Sequence, residues 1–285
     1  IFFISFIFLI YSFNRYSGYG NDAVAHIYFI YFFLISILIT IKNLINLDDL
    51  IKILLISAFL IGLKLFMILT IIVPFCLIIK YRDKIKLFKN KSFYICLAFI
   101  FSLFLKSFLV SGCALYPIKA TCIKSSEIFN EKQTELAADI SEAWAKGWPD
   151  KKISIKSYRD YNINFNWLDT WKKNHLSYIL NKMSPYIILI LFVYVFIIFQ
   201  EKIPKNNNNL KKKFNIKNLH LLLLFILMYC IIWFLKFPLY RFGMSFLFCL
   251  TLSIFLILTK NIIVRTSFKK MKYFFFILIT VSLIG

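Results

Sequence analysis

Acidic side chains are scarce in this chain: 13 Asp and Glu stand against 35 Lys and Arg, for a formal charge of +22 over 285 residues. An excess of that size invites a nucleic-acid reading, but its placement argues against one. The cations concentrate in three short stretches, Lys80–Lys91, Lys202–Lys217 and Lys260–Lys272. Short basic loops mark the cytoplasmic side of a membrane protein, so nucleic acid is not the expected partner. Other things are missing too. No Cys/His cluster has zinc-ligand spacing, no signal-peptide cleavage pattern is visible, and there is no internal repeat. The apolar runs lack the period-2 alternation of a barrel strand, which excludes a membrane β-barrel.

What remains is overwhelmingly apolar. Hydrophobic residues make up 60% of the chain, Phe alone numbers 34, and the mean hydropathy is +0.75. Candidate spans lie near 1–12, 24–41, 50–79, 93–110, 185–200, 218–236, 242–259 and 273–285, against the roughly 20 apolar residues that a helix needs to cross the hydrocarbon core. The expected fold class is all-α: a polytopic helical membrane protein with about eight or nine hydrophobic helices and one external helical segment. The chain starts at Ile1 and stops at Gly285 inside an apolar run, so it reads as a fragment at both ends. The expected organisation is N-terminal transmembrane helices over 1–110, an external segment over 111–183, and C-terminal transmembrane helices over 184–285.

Placing the three basic loops inside orders the rest. The loop from Tyr11 to Ala23 lies outside, and Asp48 and Asp49 sit in a short inner loop. The 50–79 stretch then has to begin and end on the same side. One helix of that length would span roughly 45 Å and would invert the basic loop after it. A hairpin of two short helices, bent near Gly62–Lys64, resolves both objections. Localisation in a bacterial inner membrane, crossed several times, follows from this reading.

The external segment carries soluble-domain grammar. Residues 126–146 read as an amphipathic helix with Leu136, Ile140 and Trp144 on one face, stopped by Gly147 and Pro149. A second helix is expected over 166–181, where Trp167, Trp171, His175 and Tyr178 share a stripe. Trp144, Trp148, Trp167 and Trp171 are four of the five Trp residues, and Trp prefers the membrane–water interface. These helices are expected to lie on the outer membrane surface, as a roof over the spans. Cys76, Cys96, Cys230 and Cys249 fall inside spans, where Cys behaves as a small hydrophobe. Cys113 and Cys122 flank Tyr116-Pro117 outside, a spacing that suits a disulfide-closed loop in an oxidising compartment.

Two sets of residues stand out chemically. Asp22 ends the first outer loop, at the mouth of a helix, where an acid suits the N-cap and the dipole. His26 lies one turn further on the same face, and a His inside a span is costly and usually partnered. The pair suits an acid/base group with its orienter, or a ligand set for a divalent metal. The second set is cationic: Arg15, Lys64, Lys106, Lys236 and Arg241 map to the outer edge of the membrane, against the positive-inside bias. Lys106 and Lys236 can snorkel to the surface. Arg241 follows Pro238-Leu239-Tyr240 in a tight turn, where its planar fork suits a phosphate.

The first outer loop with its single acid, the hairpin at Gly62-Leu63-Lys64, Ser111-Gly112-Cys113-Ala114-Leu115-Tyr116-Pro117 after a span, and Tyr240-Arg241-Phe242-Gly243 near a late one together resemble the GT-C-type integral membrane glycosyltransferases. More closely, Ser111–Cys122, Ala143-Trp144-Ala145-Lys146-Gly147-Trp148-Pro149 and Tyr240–Gly243 are similar to a group of bacterial envelope membrane proteins with that architecture. The resemblance implies that Asp22 is a catalytic base or a divalent-metal ligand. It also implies transfer of a sugar from a polyprenyl-phosphate donor in the cell envelope, with membrane lipid and the lipid-linked sugar as partners. On that reading His26 assists Asp22, while Lys64, Lys106, Arg241 and Arg15 bind the substrate phosphate. Two other functions stay open. One is an envelope glycan polymerase or ligase relying on Arg241 and His175. The other is a lipid or polysaccharide transporter without catalysis, although transporter ionisable residues lie near the bilayer midplane.

Overall fold

In the computed structural model, the structure describes residues 2–12, 20–42, 46–81, 89–148, 158–201 and 216–259. These residues form eleven α-helices: α1 (Phe2–Ser12), α2 (Asn21–Lys42), α3 (Leu47–Leu63), α4 (Ile72–Tyr81), α5 (Lys91–Ser111), α6 (Glu131–Ala145), α7 (Tyr158–Asn162), α8 (Leu168–Trp171), α9 (Ser177–Glu201), α10 (Ile216–Lys236) and α11 (Tyr240–Thr259). Among them there is no β-strand, and one isolated antiparallel bridge pairs Cys113 with Cys122. Five stretches are long and apolar enough to cross a membrane: Asn21–Thr40, Lys91–Ser111, Leu168–Phe196, Leu219–Lys236 and Tyr240–Thr259. This is an all-α membrane fold. Arg15, residues 82–88, 202–215 and 260–285 lie outside the described residues, and with them most of the three basic loops and the 273–285 span.

The chain divides into two units. The first comprises Ile1–Leu44, Asn181–Tyr229 and Met244–Gly285. Its core is aromatic: Phe8 stacks on Phe248 with ring centroids 4.1 Å apart, and Phe29 meets Phe246 and Tyr229 edge-on at 4.8 and 5.2 Å. Lipid supplies no hydrophobic drive between helices, so this close packing is what holds them. Ser12 Oγ and Tyr186 OH add a hydrogen bond of 3.1 Å.

The second unit comprises Ile45–Leu180 and Cys230–Gly243. Here the 50–79 stretch turns back as a bent pair of short segments. Helix α3 ends at Leu63, Lys64 is extended (φ −148°, ψ 120°), and a 3-10 turn over Leu65–Ile71 leads into α4. The return is locked by Ser57, whose hydroxyl donates to Ile53 O at 2.8 Å and lies 3.3 Å from Thr70 O. Pro74 falls in the first turn of α4, where its missing N–H costs nothing. Leu50 and Leu54 of α3 bury against Phe93 and Cys96 of α5.

Helix α5 stops at Gly112, which takes the left-handed conformation (φ +71°) and donates its N–H to Phe108 O. A Cβ at Gly112 would lie 2.9 Å from Phe129 Cβ, so both the backbone angle and the space demand glycine. The loop beyond it is closed by a disulfide between Cys113 and Cys122. Peptide mapping without reductant should recover one linked species joining these two cysteines across Tyr116-Pro117. Two free thiols in protein taken from an oxidising compartment would contradict it.

Helix α6 begins at Asn130, whose side chain accepts from Gln133 N, and ends in a Schellman turn. Trp148 N–H donates to Ala143 O and Gly147 N–H to Trp144 O, with Gly147 at φ +80°, as a glycine-stopped helix requires. The helix starts later than the sequence pattern suggests, and its phase differs. Leu136, Ile140 and Trp144 are exposed, while Thr134, Ala143, Ala145 and Lys146 are buried. The apolar-face rule expects a helix to pack by its large apolar residues, whereas α6 packs by small residues and the Lys146–Glu142 pair.

The second expected helix also differs. The chain is helical from Leu168 into α9 with no interruption near residue 183, passing through a π-helical turn at Lys172–Leu176. Trp167 and Trp171 are buried against Phe234, and Trp171 Nε1 donates to Pro238 O at 2.6 Å. A buried indole needs such an acceptor. The expected stripe breaks after Trp171, since Tyr178 is exposed.

Candidate functional site

The catalytic candidates belong to the first unit. Gly20 turns at φ +52° just before α2, and Asn21 opens the helix. Asp22 is therefore a residue of the first helical turn and not its cap. It is 2% exposed, and His26, one turn on, is 1% exposed. An acid in the first turn of a helix meets the positive end of the dipole. His26 Nδ1 lies 2.7 Å from the hydroxyl of Ser245, which is fully buried in α11. Bonding one ring nitrogen fixes the orientation and tautomer of an imidazole. The chemistry available here is proton transfer, from a carboxylate and an imidazole withdrawn from water.

The divalent-metal expectation fits this arrangement poorly. Among the described residues no group of three or more His, Cys, Asp or Glu is placed to hold a metal ion. Asp22 and His26 supply two donors, and one ring nitrogen of His26 already serves Ser245.

The cations belong to the second unit, and the structure sorts them. Lys64 sits at the turn after α3 with Nζ 5.9 Å from the ring centroid of Phe242, a cation–π geometry. Phe242 follows Arg241, which is exposed in the first turn of α11. Lys64 and the Arg241 turn are thus brought together. Phe66 completes that corner, 5.6 Å from Phe242 and 6.5 Å from Phe237. Gly243 is needed there because a Cβ would fall 2.2 Å from Trp233, whose Nε1 donates to Leu239 O at 2.8 Å.

Lys236 is committed elsewhere. Its ammonium bonds Glu142 at 2.8 Å, and the other oxygen of that carboxylate takes Lys146 at 2.5 Å. Lys146 is 2% exposed, lies 4.9 Å from the Trp167 ring centroid and donates to Asn162 O at 3.0 Å. Burial pushes its ammonium below the usual lysine range, while Glu142 pulls the other way. The His175 ring abuts Gly147, where an added Cβ would stand 3.0 Å from Nε2.

Lys106 stands apart from both groups. It lies on the exposed side of α5 and lines a cavity of about 610 Å3. The walls come from the turn after α3, the C-terminal half of α5, the start of the disulfide loop and the first turn of α6. Two motifs singled out in the sequence, at Gly62 and at Ser111–Tyr116, meet at this cavity. Lys64 and Arg241 are not among its lining residues.

A family model covers residues 1–248, which take in both units' candidate residues. The chain belongs to the family of the domain of unknown function DUF8201. No curated protein and no solved structure matches it. In this DUF8201 chain the candidate that sequence reasoning missed is Ser245. Its one signal is a hydroxyl two residues after the Tyr240–Gly243 motif, and hydroxyls are common in membrane helices.

Proposed function

We infer that this is a multi-pass protein of the bacterial inner membrane that transfers a sugar from a polyprenyl-phosphate donor in the cell envelope, in the manner of the GT-C enzymes it resembles. The observation that carries the reading is the buried Asp22, at the start of the helix after a short polar loop, one turn from a histidine held by Ser245. Buried ionisable residues at such positions are expensive and mark function. Asp22 takes the proton of the acceptor hydroxyl as its oxygen bonds the anomeric carbon. The bond to the phosphate oxygen breaks, and the lipid phosphate departs with the electron pair. A phosphate leaving group calls for cations. The sidedness rests on the Cys113–Cys122 disulfide, because such bonds persist in oxidising compartments.

Two measurements test the reading. Membranes carrying the protein should move labelled sugar from a polyprenyl-phosphate donor into envelope glycan, and activity no higher than in membranes lacking it would end the enzyme assignment. In intact cells, cysteines replacing Lys86 and Asn207 should be shielded from a membrane-impermeant thiol reagent, whereas one replacing Lys124 should react. The opposite pattern would put Asp22 on the wrong side.

A further inference from the structure

We propose that the cavity at Lys106 is a binding site for a phosphate-bearing lipid, with the phosphate at the Lys106 ammonium and the hydrocarbon chain along α5. The walls call for two chemistries at once. Ile61, Leu65, Leu103 and Val110 present hydrocarbon, whereas Lys106 and Gln133 are polar. The lining Ser and Thr hydroxyls are already spent: Ser107 donates to Cys113 O, Ser111 to Ser107 O and Thr134 to Asn130 O. No carboxylate among the described residues pairs with Lys106, whereas Lys146 and Lys236 share Glu142.

The α5 surface around Lys106 is open and apolar. Only 11% of the α5 span window is buried, and Leu105, Leu109 and Val110 around Lys106 are 42%, 61% and 73% exposed. A lysine on such a surface could simply snorkel to the headgroup layer, but snorkelling explains no cavity. About 610 Å3 lies within the range of small-molecule sites, and a bare inorganic phosphate would leave its apolar walls uncovered. A lipid with one anionic phosphate satisfies cation, walls and lateral access together. The inference stands on the cavity alone and holds whether or not sugar is transferred.

Native mass spectrometry of the detergent-purified protein tests it, with phosphatidylglycerol, a polyprenyl phosphate, diacylglycerol and inorganic phosphate as probes. Retention of phosphatidylglycerol or polyprenyl phosphate is expected, and the better-retained of the two names the source, resident phospholipid or lipid-linked carrier. Lys106→Glu should cut retention at least tenfold and Lys106→Arg should keep it. Leu65→Trp, which fills the cavity from the apolar side, should also abolish it, with the Cys113–Cys122 linked peptide reporting an intact loop in each variant. Equal retention by Lys106→Glu, retention of diacylglycerol as strong as that of the phosphate lipids, or retention of inorganic phosphate alone would each overturn the proposal.

Discussion

Asp22→Asn is expected to lower sugar transfer at least about a hundredfold, the low end for loss of a positioned base, while leaving the protein inserted and folded. Asparagine keeps the size of the side chain and an oxygen in the first turn of α2, and removes the charge. The folding cost is the loss of one favourable charge–dipole interaction, roughly 0.3–1 kcal/mol. Ser245→Ala acts one step further out, since it frees the imidazole that Ser245 holds at 2.7 Å. It should lower the rate less than Asp22→Asn, because the ring stays in place but loses the partner that orients it. Transfer at the wild-type rate by Asp22→Asn would remove the carboxylate from the chemistry and leave it a structural acid.

The largest loss of stability is expected from Glu142→Ala. One carboxylate holds two ammoniums, and Lys146 is 2% exposed. Removing it leaves a buried cation without its counter-ion, for which about 3 kcal/mol is a reasonable cost. That corresponds to a fall of the thermal midpoint on the order of 5–10 °C. Lys146→Met removes the buried charge itself and keeps the stem packed over Trp167, so it should be far milder. The pair of variants, followed by thermal unfolding in the same detergent, separates an unpaired charge from lost packing. Equal destabilisation by both would mean that volume, not charge, governs this junction.

Helices, their approximate ends and the hairpin at Lys64 were legible because they follow from local rules: apolar length, glycine stops, and a cation where a helix cannot continue. Asp22 and His26 were legible through rarity, since an acid and a histidine beside an apolar span are conspicuous. What escaped was what depends on distant partners. Ser245 is one hydroxyl among many until His26, 219 residues away in sequence, is found beside it. Lys236 read as a cation at the membrane edge until Glu142 appeared 94 residues away. The phase of α6 was misjudged for a different reason. Its buried side carries alanines and an ion pair, which allow close approach, and its large apolar residues face outward. Hydrophobicity stops telling inside from outside where the surroundings are not water.

The π turn at Lys172–Leu176 acts as a phase setter for everything after it. Such a turn holds one residue more than an α-helical turn, and each residue of an α-helix is worth about 100° of rotation. Deleting one residue between 172 and 176 would let the helix close to uniform α in phase, whereas closing it to α with every residue retained would swing the side chains of Ser177–Phe196 about its axis by that angle. Trp167 and Trp171, upstream, would keep their places, while Ile179 and Met183 would trade burial with exposed neighbours such as Leu180. The wide turn thus takes up one extra residue, as a surface loop would, and keeps an entire apolar helix aimed.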